Sequence, residues 1–99
     1  MQSSYPACFE RDMGCTELEW LGWLPAAMGE VAWERQGAVV QAVLHDGRLR
    51  IEWRAQAARA IALMRIPRLW VRFEFIEVPQ EERYRFMRRF DLYMQRGGG

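Results

Sequence analysis

The chain contains no lysine and no asparagine; all fourteen of its basic residues are arginine. The two missing residues are those with adenine-rich codons, so their joint absence marks a GC-rich, bacterial genome. It also removes an easy functional reading. Where arginine fills every cationic position, an arginine cluster is not by itself evidence of phosphate binding. Histidine is nearly as scarce, with His45 alone. No GxSxG, Walker loop, GxGxxG or HExxH pattern occurs, so the converging titratable groups that enzyme chemistry needs are not visible. Cys8 and Cys15 are the only cysteines, too few for a disulfide-built scaffold. No run approaches the roughly 20 apolar residues of a spanning helix, and the first six residues lack the apolar core of a signal peptide. The expectation is a cytoplasmic, non-enzymatic chain with reduced thiols, no cofactor, no metal and no membrane contact. Fourteen arginines against thirteen carboxylates leave a net charge of +1, low for a dedicated nucleic-acid binder.

What is present is apolar and aromatic. Half of the residues are hydrophobic and five are tryptophan, ample for the core of one small domain spanning 1–99. Residues 1–14 hold Pro6 and Gly14 without sustained periodicity and read as an irregular lead-in. Thr16-Glu17-Leu18-Glu19 has the form of a capping box. It opens a short helix carrying Leu18, Trp20, Leu21, Trp23 and Leu24, which Pro25 limits or restarts and Gly29 closes. Val31 and Trp33 alternate ahead of Gln36-Gly37 as a candidate strand.

The sharpest local signal is a hairpin about Asp46-Gly47, a favoured type I′ pair with both φ positive. That turn pairs Leu44 with Leu49, Ala42 with Ile51 and Val40 with Trp53 on one apolar face. The opposite face receives Gln41, Arg48, Arg50, Glu52 and Arg54, and a one-residue slip would destroy this sorting. The alanines of 55–66 favour helix, whereas Ile61 to Ile66 before Pro67 fits a strand entering a tight connection; strand is expected from about Ala60. Leu69, Val71, Phe73 and Phe75 alternate with Trp70, Arg72, Glu74 and Ile76 as another strand. Pro79 opens a long helix with Glu81 and Glu82 early, Arg88, Arg89 and Arg96 late, and an apolar stripe of Phe86, Met87, Phe90, Tyr93 and Met94. Gly97-Gly98-Gly99 is expected to fray as a flexible tail. The whole predicts an α+β domain: an antiparallel sheet of four or five strands with the N-terminal and C-terminal helices on its apolar face.

Two candidate sites follow. Arg48, Arg50, Arg54, Trp70 and Arg72 share the polar sheet face, and guanidinium groups beside an indole suit a small ligand, a nucleotide or single-stranded RNA. Glu52 and Glu74 stand ready to neutralise them. Cys15 precedes the helix start, where the dipole can lower a thiol's pKa and make it reactive. A ligand set of Cys8, Asp12, Cys15 and His45 would need every Cys and His present, and the cysteines are spaced more widely than in a CxxC knuckle.

The strand-rich middle followed by a helix resembles in outline the PilZ family, whose members bind cyclic di-GMP through RxxxR and DxSxxG motifs. RxxxR occurs at Arg50–Arg54, Arg68–Arg72 and Arg85–Arg89, a number that fourteen arginines supply by chance, and DxSxxG is missing. The terminal Arg-Gly-Gly resembles that of ubiquitin-like carriers, but there a strand precedes the glycines and here a helix does. The aromatic load requires some of Trp20, Trp23, Trp33, Trp53 and Trp70, with Phe86 and Tyr93, to lie near the surface as interface anchors. The expected function is therefore a protein-interaction module, self-associating or with a protein partner. Nucleic-acid or nucleotide binding is the alternative.

Overall fold

The computed structural model describes residues 4–98. Its centre is the pair of longest strands, β4 (Gly47–Ile61) and β5 (Met64–Ile76). Around them lie β1 (Cys8–Met13), β2 (Trp33–Gln36) and β3 (Val39–Leu44), giving one antiparallel sheet in the order β1-β5-β4-β3-β2. Two helices complete the chain, α1 (Glu17–Met28) and α2 (Gln80–Gly98). The α+β class, an antiparallel sheet of four or five strands and both helices agree with the sequence reading, although the set of strands does not.

One sheet face is core. Val40, Ala42, Leu49, Ile51, Trp53, Leu69, Val71, Phe73 and Phe75 are all buried on it. Both helices close over this face. The Trp20 ring of α1 meets Trp53 at 5.5 Å and Phe90 at 5.9 Å, while Phe90 sets its edge on Phe73 at 5.4 Å. Trp20 is fully buried, and among the described residues its indole N–H finds no acceptor.

The α1 capping box forms, with the Glu19 amide donating to the Thr16 hydroxyl and the Thr16 amide to the Glu19 carboxylate. Pro25 neither limits nor restarts the helix, which runs on to Met28. Its last carbonyls are capped from outside: Arg89 of α2 donates to the Ala26 and Ala27 oxygens, where cations are favoured by the helix dipole. Gly29 then takes a positive φ directly under that guanidinium, leaving no room for a Cβ.

Further expectations need correction. The lead-in is not irregular, because residues 8–13 form the edge strand β1 on β5. Its inward positions are Phe9, Arg11 and Met13. The charge of Arg11 among rings hides the two-residue period, and Asp91 of α2 compensates it with bonds of 2.5 and 2.9 Å. The β3–β4 turn is His45-Asp46, one residue earlier than expected. It pairs Leu44 with Gly47, Ala42 with Leu49 and Val40 with Ile51, and only His45 there has positive φ. The register moves by two residues, so each side chain keeps its face. Gly47 is needed for another reason: a Cβ there would lie 2.1 Å from the Ile76 carbonyl oxygen. Finally, α2 continues through Gly97 and Gly98 rather than ending before them; Gly99 lies outside the described residues.

The strand expected from about Ala60 to a connection at Pro67 is also corrected: β4 runs unbroken through residues 55–61, the turn is at Ala62-Leu63, and Pro67 sits inside β5, because both strands extend beyond their neighbours. β3 leaves β4 at Glu52 and β1 leaves β5 at Leu69. Beyond those points β4 and β5 run on alone as a two-stranded arm. The arm projects roughly 20 Å, at about 3.3 Å per strand residue, and the molecule measures 47 × 30 × 21 Å. A bulge between Gln56 and Arg59 falls opposite Pro67, past the end of β1, where no ladder bond is asked of the missing N–H.

Candidate functional sites: the outer sheet face and the distal arm

The five residues expected on the polar sheet face do share it. β1 adds Glu10 and Asp12 to that face, opposite Arg72 and Trp70. Successive cross-strand rows then read Arg50 beside Glu74, Glu52 beside Arg72, and Arg54 beside Trp70. Ion pairs join Arg50 to Glu52 at 2.9 Å and Arg72 to Glu74 at 3.7 Å. The Trp70 indole N–H donates to Glu10 at 2.8 Å, and the Arg54 guanidinium lies 5.2 Å from the Trp70 ring centre. A shallow depression of about 420 Å³ lies here, lined by Glu10, Asp12, Arg54, Gln56, Arg68 and Trp70 among others. Arg48 stands apart, at the other end of the face beside Val43. The sequence reading missed the two carboxylates because it placed them in the lead-in.

Cys15 is buried beneath the start of α1, and burial, aided by the negative charge of Glu19, pushes its thiol pKa up. That corrects the low-pKa expectation: desolvation and a carboxylate outweigh the helix dipole. Cys8 is exposed at the opposite end of β1. His45 lies at the β3–β4 turn, 3.6 Å from Asp46 and 4.0 Å from Glu82. Among the described residues no three His, Cys, Asp or Glu side chains are grouped to hold a metal, and no helix is long and apolar enough to cross a membrane.

On the helix side, Tyr5, Arg11 and Asp91 form a partly buried latch between β1 and α2. Tyr5 donates to Asp91 at 2.8 Å, and the Arg11 guanidinium lies 5.5 Å from the ring centres of both Phe9 and Phe73. Burial alone would lower the Arg11 pKa, but the hydrogen bond and charge of Asp91 outweigh it and raise it. Burial, followed by Asp91, raises that of Tyr5. This cluster ties β1 to α2.

The thirteen aromatic rings are all buried or half-buried: of those expected near the surface, Trp23, Trp33, Trp70 and Tyr93 are half-buried, and Trp20, Trp53 and Phe86 are buried. The fully exposed apolar side chain is Leu63, at the tip of the arm, with Ile61 51% and Met64 64% exposed beside it. β5 carries no extra residue, so Met64, Ile66 and Arg68 share one face of the arm. The bulge in β4 brings Arg59 and Ile61, the partners of Ile66 and Met64, onto the same face, which is how bulges re-aim side chains. Arg59 and Arg68 both reach Asp12, at 3.7 and 2.8 Å. Ala62 turns the tip with φ +53°, a left-handed conformation costing a non-glycine residue about 1–2 kcal/mol. The chain thus carries an uncovered apolar tip on a strained turn.

Comparison with protein-family models, with curated proteins and with solved structures finds no match to this chain.

Proposed function

We propose that the chain is a non-enzymatic protein-interaction module of a GC-rich bacterium, acting in the cytoplasm through the distal β4–β5 arm. The observation carrying this reading is the arm tip. Ile61, Leu63 and Met64 contribute nothing to the core, yet they sit together at the point farthest from it. An apolar cluster at the end of a projecting ribbon is stabilised only when something covers it. A photo-crosslinking residue at position 63, introduced in the cells that make the protein, tests this directly. Protein adducts are expected from position 63 and not from exposed Glu34 on β2; a chain that forms none from position 63 has no partner at its arm.

A second reading, small-ligand, nucleotide or single-stranded RNA binding at Arg48, Arg50, Arg54, Trp70 and Arg72, is supported by the Arg54–Trp70 stack. The carboxylates of Glu10, Glu52 and Glu74 on the same face weaken it for phosphate-bearing ligands. Tryptophan fluorescence during a nucleotide titration separates the two readings. A saturable change that Arg54→Glu abolishes would favour the face over the arm.

A further inference from the structure

We propose that the partner of the arm is a second copy of this chain, each tip seating in a cleft at the far pole of the other. This rests on the arm being an interaction element and adds what it binds. The cleft lies where the end of α1, the end of β3 and the first half of α2 meet. It has a volume of about 550 Å³, an apolar floor of Met28, Val31, Leu44 and Phe86, and a rim carrying Glu30 and Glu82. Leu44 pairs with the first residue of β4, whereas the tip follows the last. Cleft and tip therefore stand at opposite ends of a 15-residue strand, and no chain can fill its own cleft.

Charge points the same way. Residues 53–73 contain five arginines and no carboxylate, leaving nine arginines against all thirteen carboxylates in the rest of the chain. Near the tip Arg65 has no ion-pair partner among the described residues, and neither has Glu30 on the cleft rim. The two cations lining the cleft are already engaged, Arg85 by Glu81 and Glu82 and Arg89 by the α1 carbonyls. Apolar tip on apolar floor, with Arg65 approaching Glu30, satisfies both ends at once. Two copies lying antiparallel make the contact twice and close as a pair, the commonest symmetry of soluble oligomers. A polyanion is a poorer occupant, because Arg59 and Arg68 already share Asp12 and Arg54 lies on Trp70.

Light scattering on the purified full chain tests this. The mass is expected to rise with concentration from 11.8 kDa toward twice that value, with a dissociation constant of about 10 µM to 1 mM because the contact is small. Leu63→Asp and Glu30→Arg, both at exposed positions, are each expected to weaken pairing at least about tenfold while keeping the wild-type melting temperature. Mixing the two variants allows one of the two contacts to form, since one retains the arm and the other the cleft, so the mixture is expected to pair more strongly than either variant alone. A wild type that stays monomeric, variants that pair normally, or a mixture that pairs no better than either variant alone overturns the proposal. If the purified chain is monomeric yet position 63 crosslinks to a different protein, self-pairing is wrong and the interaction module stands. Binding of anionic vesicles or duplex DNA that Leu63→Asp abolishes, without any pairing, also overturns it.

Discussion

Ile51 and Ile61 lie on the same strand, ten residues apart, and share almost nothing else. Ile51 is fully buried under the helices and flanked by β3 and β5, whereas Ile61 is half exposed on a ribbon with no neighbour on either edge. Strand propensity cannot distinguish them; what differs is what lies over each. In the body, burial on one face and a charge lattice on the other fix the register. On the arm only the β4–β5 ladder does so, and a two-stranded ribbon is marginal in water unless it grows from a larger sheet. Stability should therefore be concentrated in the body.

The largest expected effect lies at the centre of the body. Trp53→Ala removes a buried ring that packs on Trp20 and donates its N–H to Glu17 at 2.8 Å. It should cost about 3–5 kcal/mol by chemical denaturation. A loss below 1 kcal/mol would mean that the inward face is misassigned and that the contrast with the arm fails. Gly47→Val comes next, at about 1–3 kcal/mol, because the added carbons meet the Ile76 and Glu77 carbonyl oxygens. Gly47→Ala sharpens the point. A clash with β5 makes even a single methyl costly, although the backbone of Gly47 needs no positive φ.

A smaller effect is set by pH. The buried Cys15 thiol and the Tyr5 hydroxyl both have raised pKa values in the folded chain, mainly through burial. Each is held protonated when folded and ionises earlier when unfolded, so its contribution is complete below the unfolded value and is lost as pH rises through the folded one. Stability should fall above pH 9.0 through Cys15 and again above pH 10.0 through Tyr5. Cys15→Ala should flatten the first part of that decline and Tyr5→Phe the second, measured as denaturation midpoints against pH. An unchanged profile in both variants would remove these groups from the body's alkaline limit.

Much of the body was legible because its signals are local. Val40, Ala42, Leu49, Ile51 and Trp53 sort onto one face under either of two registers differing by two residues, so the core was readable although the turn was not. Choosing Asp46-Gly47 as the turn ignored a constraint from β5, some thirty residues away, which reserves Gly47 for close backbone approach. β1 was hidden for a similar reason: Arg11 is tolerable in an inward position only because Asp91 waits eighty residues on. Phe9 and Met13 flanking an arginine whose stem can lie on rings was the available clue. The outer face was recognised in its arginines but not in Glu10 and Asp12, which arrive with β1. Nothing in the alanine-rich composition of 55–66 announces an arm; it follows from β1 and β3 ending before β4 and β5 do.

The smallest expected effect is the one that isolates the arm. Ile61→Ala removes the same side chain as Ile51→Ala from the same strand, but no helix lies over it and the exposed Met64 is its paired neighbour. Ile51→Ala should cost about 2–5 kcal/mol, and Ile61→Ala should stay within about 0.5 kcal/mol of the parent. The comparison holds propensity and side-chain size constant, so the difference reports only the cover. Midpoints measured at low protein concentration keep self-association out of the reading. A clear loss at Ile61 under those conditions would show that the tip packs within its own chain. If the two variants differ as expected when dilute and Ile61→Ala becomes costly only at high concentration, the cover is supplied by association.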